Sequence, residues 1–130
     1  MSTRTGLRPH VVISAVSMAA SITSQVTILN SLSEFSYEAV WTGSTPVGSL
    51  SVEVSNDYTV DSSGATANAG TWVPLVGAID FASVSATIPV SGNSGTVFAN
   101  IKVRAYAVRL VYTRVSGTGT MSATIVGGVA

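Results

Sequence analysis

Apolar and polar positions alternate along most of this chain. Tyr106, Val108, Leu110 and Tyr112 fall on one parity, and Ala107, Arg109, Val111 and Thr113 on the other. A period of two belongs to a pleated strand with one buried face. Met121, Ala123 and Ile125 resume the alternation beyond Ser116-Gly-Thr-Gly119, whose glycines supply the backbone freedom of a tight reversal. Residues 106–125 therefore predict a hairpin that closes the core. Phe35, Tyr37, Ala39 and Trp41 alternate as cleanly with Ser36, Glu38, Val40 and Thr42. Leu50, Val52 and Val54 alternate with Ser51, Glu53 and Ser55, and Gly43-Ser-Thr-Pro-Val-Gly48 between the two runs has turn composition. A second hairpin is predicted there.

Shorter runs fill the rest. Strands are expected over Val11–Met18, Ser21–Leu29, Thr71–Val76, Val84–Val90 and Thr96–Val103. Pro74 lacks a ladder donor, which puts its strand on a sheet edge or at a bulge. The apolar parity shifts before Tyr106, so a break is expected near Arg104. Residues 57–70 are polar and read as an exposed connecting loop. No segment holds a helical period over eleven residues or more. The pattern is that of an all-β, single-domain antiparallel β-sandwich or jelly roll of about eight strands. Residues 1–10, with Arg4, Arg8 and Pro9, read as a flexible N-terminal arm, and 11–130 as the domain. Val11 to Ala20 follows two arginines as a signal peptide's apolar run would, but Pro9, His10, Ser14 and Ser17 favour a strand. The run is too short to span a membrane.

Charge changes the picture. The 130 residues are only 9% charged, against about 25% in an ordinary soluble domain. The exterior must be built from Ser, Thr, Asn and Gly, or be covered by neighbours. Zero net charge favours association, so a homo-oligomer is expected. The charges are also segregated. Residues 34–80 hold all six acids and no Lys or Arg, while 1–33 and 81–130 hold Arg4, Arg8, Lys102, Arg104, Arg109 and Arg114 and no acid. Either strands from different segments pair within the chain, or basic ends meet a neighbour's acidic middle. On the second reading Arg4, Arg8, Arg109 and Arg114, with Trp72, are interface candidates. Six dispersed cations make a weak nucleic-acid footprint.

Candidate chemistry is thin. With no cysteine there is no thiol or disulfide chemistry. The one histidine, His10, precedes a strand and has no motif that makes it a base beside a nucleophile. No spacing favours a pair of facing carboxylates. Asp57 and Asp61, near Asn56 and Gly64, invite a calcium reading, but the spacing is not that of the twelve-residue loop. Gly117-Thr-Gly119 does not open a helix, so it does not cradle phosphate. Trp41 shares the parity of Phe35 and Tyr37 and reads as core. Trp72 reads as core or interface, with sugar stacking as the alternative. No catalytic, cofactor-binding or metal-binding residue is assigned, and the chain is not expected to be an enzyme.

Trp41-Thr-Gly-Ser-Thr-Pro-Val-Gly48, Leu50-Ser-Val-Glu-Val-Ser-Asn-Asp57, Asn68-Ala-Gly-Thr-Trp-Val73 and Val108-Arg-Leu-Val-Tyr-Thr-Arg-Val-Ser-Gly-Thr-Gly-Thr-Met121, with Ser17-Met-Ala and Ile22-Thr-Ser, carry a resemblance. By these blocks the chain resembles small β-sandwich virion structural proteins of tailed bacteriophages. The resemblance implies a particle component, and the leading expectation is a decoration or cement protein that assembles with itself and with the major capsid protein or other virion proteins. It implies a place in the virion, assembled in the host cytoplasm, and no membrane. The alternative is a carbohydrate- or receptor-binding module of a head or tail fibre, or a tail or neck component. Val126-Gly-Gly-Val-Ala replaces a basic ending, so no contact through that terminus is carried over.

Overall fold

The computed structural model describes residues 6–30, 32, 34–75, 87–103 and 105–128. They form β1 (Gly6–Ser17), β2 (Ile22–Thr23), β3 (Thr27–Ile28), β4 (Glu34–Ser55), β5 (Thr59–Val60), β6 (Thr66–Asn68), β7 (Val73–Pro74), β8 (Thr87–Val90), β9 (Ser94–Lys102) and β10 (Ala107–Gly128). Eight of them join one antiparallel sheet, and β5 pairs with β6 alone. There is no helix among the described residues, and hence none long and apolar enough to cross a membrane.

The sheet is best described as strips. β10 and β4 run side by side over their whole length, from Ala107 opposite Ser55 to Gly128 opposite Glu34. β1, β2 and β3 follow one another along the free side of β10. β7, β8 and β9 follow one another along the free side of β4.

Neither predicted hairpin exists. β4 and β10 are each 22 residues long, and the two glycine-rich segments lie inside them. These segments bend the strands instead of reversing them. Before the bend β4 buries Phe35, Tyr37, Ala39 and Trp41, all odd; after it, Leu50 and Val52, both even. β10 buries Val108, Leu110 and Tyr112, then Met121, Ala123 and Ile125. A residue in the left-handed region breaks the alternation and swaps the inward parity. Thr45 (φ 45°) does this in β4 and Gly117 (φ 78°) in β10. Gly92 (φ 83°), between β8 and β9, lies near the same line in the strip beside β4, whereas Ala15 (φ 50°) lies inside β1, beside Ser122 and off the line. The sheet folds along this line, and both halves contribute to one core that includes Phe35, Tyr37, Leu50, Leu110, Tyr112 and Ile125. Each large side chain so buried contributes roughly 1.5–3 kcal/mol.

Other expectations shift in detail. β1 begins at Gly6 and pairs with β10 from there, inside the stretch assigned to the arm. His10 Nδ1 lies 2.8 Å from Thr27 Oγ1 in a hydrogen bond. Residues 1–5, with Arg4, lie outside the described residues, as does Arg104 in the break between β9 and β10. The strand expected over 21–29 is split into β2 and β3. Buried Ser24 stands between them, and its Oγ accepts from the Leu110 amide at 2.8 Å. Pro74 is on an edge strip, as its missing donor requires.

Candidate functional site

Two of the singled-out residues meet on the outer face beyond the fold line. Odd positions of β10 point away from the core in this half, so Arg109 faces outward, directly across from Glu53 of β4. Arg109 Nε donates to Glu53 Oε1 at 2.7 Å, and Nη2 stands 2.7 Å from the same oxygen in an ion pair. The two side chains are 25% and 22% exposed, so the pair is partly shielded from water. The guanidinium carbon stands 4.3 Å from the ring centroid of Trp72, a cation–π contact. Tyr58 meets the same indole at 5.8 Å between centroids. One acid of the middle segment and one base of the last segment thus pair within the chain, as the charge segregation allowed.

The loop between β4 and β7 delivers Trp72. Asp57 Oδ1 accepts from the Thr71 amide at 2.7 Å and from Ser55 Oγ at 2.8 Å, which ties the two ends of the loop together. Those hydrogen bonds, the Thr71 amide first, lower the Asp57 pKa from its ordinary value. Asp61 Oδ1 accepts from Ser63 Oγ at 2.6 Å, the Ser63 amide at 2.9 Å and the Ala65 amide at 3.1 Å, and its pKa is likewise lowered, by the Ser63 hydroxyl first. Both acids that invited a calcium reading thus hold loop donors. Among the described residues no three His, Cys, Asp or Glu side chains converge. The Trp72 indole N–H donates to the Ala69 carbonyl at 2.9 Å. With Arg109 against its ring and its N–H engaged, Trp72 is a structural clasp more than a stacking platform.

Beside the clasp lies an open cleft of about 350 Å³. Val54, Val73, Val103 and Ala105 give it apolar walls, and Asp57 and Thr71 stand on its rim already bonded to one another. Arg114 is elsewhere, exposed at the fold line, where its Nε donates to the Gly117 carbonyl at 2.9 Å. Arg8 lies in β1, on the other strip. Among the described candidates, Trp72 and Arg109 meet, and Arg8 and Arg114 stand on other parts of the sheet.

The feature that sequence reasoning passed over is in the other half. Phe98 of β9 is 68% exposed, and Val11, Val40 and Val126 are exposed on neighbouring strands. The signal was present: Val97, Ala99 and Ile101 form the inward parity of β9, and Phe98 stands on the polar parity with Thr96, Asn100 and Lys102. An aromatic residue on that parity has no core to fill.

No family model matches the chain, and no curated protein sequence matches it. Among solved structures, the crystal structure of the SPBc2 prophage-derived protein YomS is similar to it, with a TM-score of 0.50 and 8% sequence identity. The match covers 97% of this chain and 96% of that one, so the likeness is one of fold across the full length of both.

Proposed function

We propose that the chain is a non-enzymatic structural protein of a bacteriophage particle, a β-sandwich that packs against its own copies and against the capsid shell as a decoration or cement protein. The observation that carries this reading is the full-length fold likeness to a prophage-derived protein. The surface supports it. Only 9% of the residues are charged, so neutral Ser and Thr faces meet a neighbour without the cost of desolvating ions. Arg109, Glu53, Asp57 and Asp61 have their partners inside the chain and hold its own loops and strands together.

The test is the composition of purified particles from a lysate of the host that carries the phage. Quantitative mass spectrometry should find this chain in the particle at a copy number comparable to that of the major capsid protein. A copy number an order of magnitude lower moves it to a fibre or neck. Its absence from the particle overturns the reading.

A further inference from the structure

β9 is an unusual edge. It pairs with β4 from Ser94 opposite Thr42 to Lys102 opposite Glu34 without one register shift. Its other side has no strand partner among the described residues. Such an edge presents a row of N–H and C=O groups to any strand of matching shape, and proteins usually blunt it with proline, bulges or charge. The opposite edge of the same half-sheet is blunted. β1 contains Pro9, a left-handed Ala15 and three irregularities in its register with β10. β9 has no proline and no bulge, and its one charge, Lys102, stands at its very end. In the middle is Phe98, 68% exposed.

We propose that β9 is a self-association edge, through which two copies of this chain pair antiparallel about a two-fold axis at Phe98. The occupant is a second copy because the edge complements itself. Centring on Phe98 sets Thr96 of one copy opposite Asn100 of the other, and Ser94 opposite Lys102. The two Lys102 ammonium groups then fall at opposite ends of the joint, eight residues or roughly 27 Å apart along the strand, and each stays across from its own Glu34. A parallel pairing would stack lysine on lysine. The antiparallel one sets the two Phe98 rings side by side on one face, an aromatic cross-strand pair. The contact is isologous, and with the β1 edges blunted it closes at two copies instead of growing into a fibre. Nine residues of edge pairing form a joint roughly 30 Å long at the small end of stable interfaces, so the dimer is a weak one whose population depends on concentration. High local concentration on a shell would fill it. The proposal rests on the reading above in so far as it names the self-contact of a particle protein.

Sedimentation velocity on the purified full chain over a concentration series tests it. The wild type should pass from monomer to dimer. Phe98→Lys, which sets two cations against each other at the axis, should weaken the association by roughly tenfold or more while the melting temperature holds. Phe98→Ser is the second variant should the lysine disturb folding. The chain has no cysteine, so single cysteines report geometry without background. Phe98→Cys should oxidise to a covalent dimer, and Thr113→Cys, exposed in the other half of the sheet, should not. A wild type that stays monomeric, a dimer indifferent to both Phe98 variants, or equal cross-linking of the two cysteines overturns the proposal. A monomeric chain found on particles would sink the dimer and leave the particle reading standing. A β9 dimer of a chain absent from particles would do the reverse.

Discussion

Gly117 and Thr45 meet backbone to backbone at the fold line, and both are left-handed, with φ of 78° and 45°. A Cβ added at Gly117 would run into the Thr45 carbonyl group and come within 2.8 Å of Pro46 Cα. The left-handed conformation alone costs an L side chain about 1–2 kcal/mol, and here backbone overlap is added. Gly64 gives the reference, because its φ is 89° but nothing lies within 4 Å of an added Cβ. Urea unfolding should show Gly64→Ala losing about 1 kcal/mol and Gly117→Ala losing more than about 2 kcal/mol. Equal losses would mean that the close approach of the two strands does not hold the fold line.

Arg109 and Glu53 should be coupled in the monomer. A partly shielded pair, joined by one charge-assisted hydrogen bond and a second close contact to the same carboxylate oxygen, is expected to show about 0.5–1 kcal/mol in a double-mutant cycle of Arg109→Ala and Glu53→Ala. The coupling should shrink in 1 M salt, where the Debye length is about 3 Å. Arg109→Ala should also shift the Trp72 emission, since the cation leaves the indole ring. A cycle that closes to zero with unchanged emission would return Arg109 to the role of an intermolecular contact.

Local alternation was enough to name the core. The inward parity of Phe35, Tyr37, Ala39 and Trp41, and of Val108, Leu110 and Tyr112, is the parity the fold buries. It was not enough to say which strand lies beside which. Gly43 to Gly48 and Ser116 to Gly119 have the residues that either a reversal or a bend requires, and nothing nearby decides between them. The decision is made by pairing: Trp41 lies opposite Met121 and Leu50 opposite Tyr112, so each bend is matched by the other. That register depends on residues some 60 to 80 positions away, and local composition does not carry it. The candidate site divides in the same way. Phe98 was passed over, although an aromatic on the polar parity of Thr96, Asn100 and Lys102 is a signal that the sequence carries. The place of Trp72 was not legible, because it depends on Asp57 closing its loop onto Thr71.

Stability should fall at both ends of the pH range, for different reasons. The hydrogen bonds to Asp57 and Asp61 lower their folded pKa values. Their contribution is therefore complete above the unfolded value of about 3.9 and is lost as pH falls through the lower folded ones. Asp57→Asn with Asp61→Asn should flatten the acid limb of melting temperature against pH. Burial pushes the Tyr37 hydroxyl up to about 12. The unfolded chain then ionises first, so stability falls from about pH 10 upward, by as much as about 1.4 kcal/mol per pH unit. Burial raises the Tyr112 hydroxyl as well, so Tyr37→Phe should make that alkaline limb shallower without abolishing it and leave the acid one alone. An alkaline limb unchanged in Tyr37→Phe would assign it to another group.

Gly95 and Trp41 give the sharpest packing test. They are cross-strand partners, and a Cβ on Gly95 would press into the indole, 2.6 Å from Cε2 and 2.9 Å from Cη2. Trp41 is 4% exposed and has little room to retreat. Gly95→Ala should therefore cost about 1–3 kcal/mol by overpacking. Trp41→Phe removes the ring atoms that the new methyl meets. It also removes an indole N–H that is buried without a hydrogen-bond partner among the described residues, a group whose desolvation costs about 1–3 kcal/mol. The phenylalanine variant should accordingly lose less than its lost volume suggests. The double variant should be more stable than the sum of the two single losses by about 1 kcal/mol or more. Additive losses in urea unfolding would show that the backbone at Gly95 moves aside, and that the glycine is not required by the tryptophan.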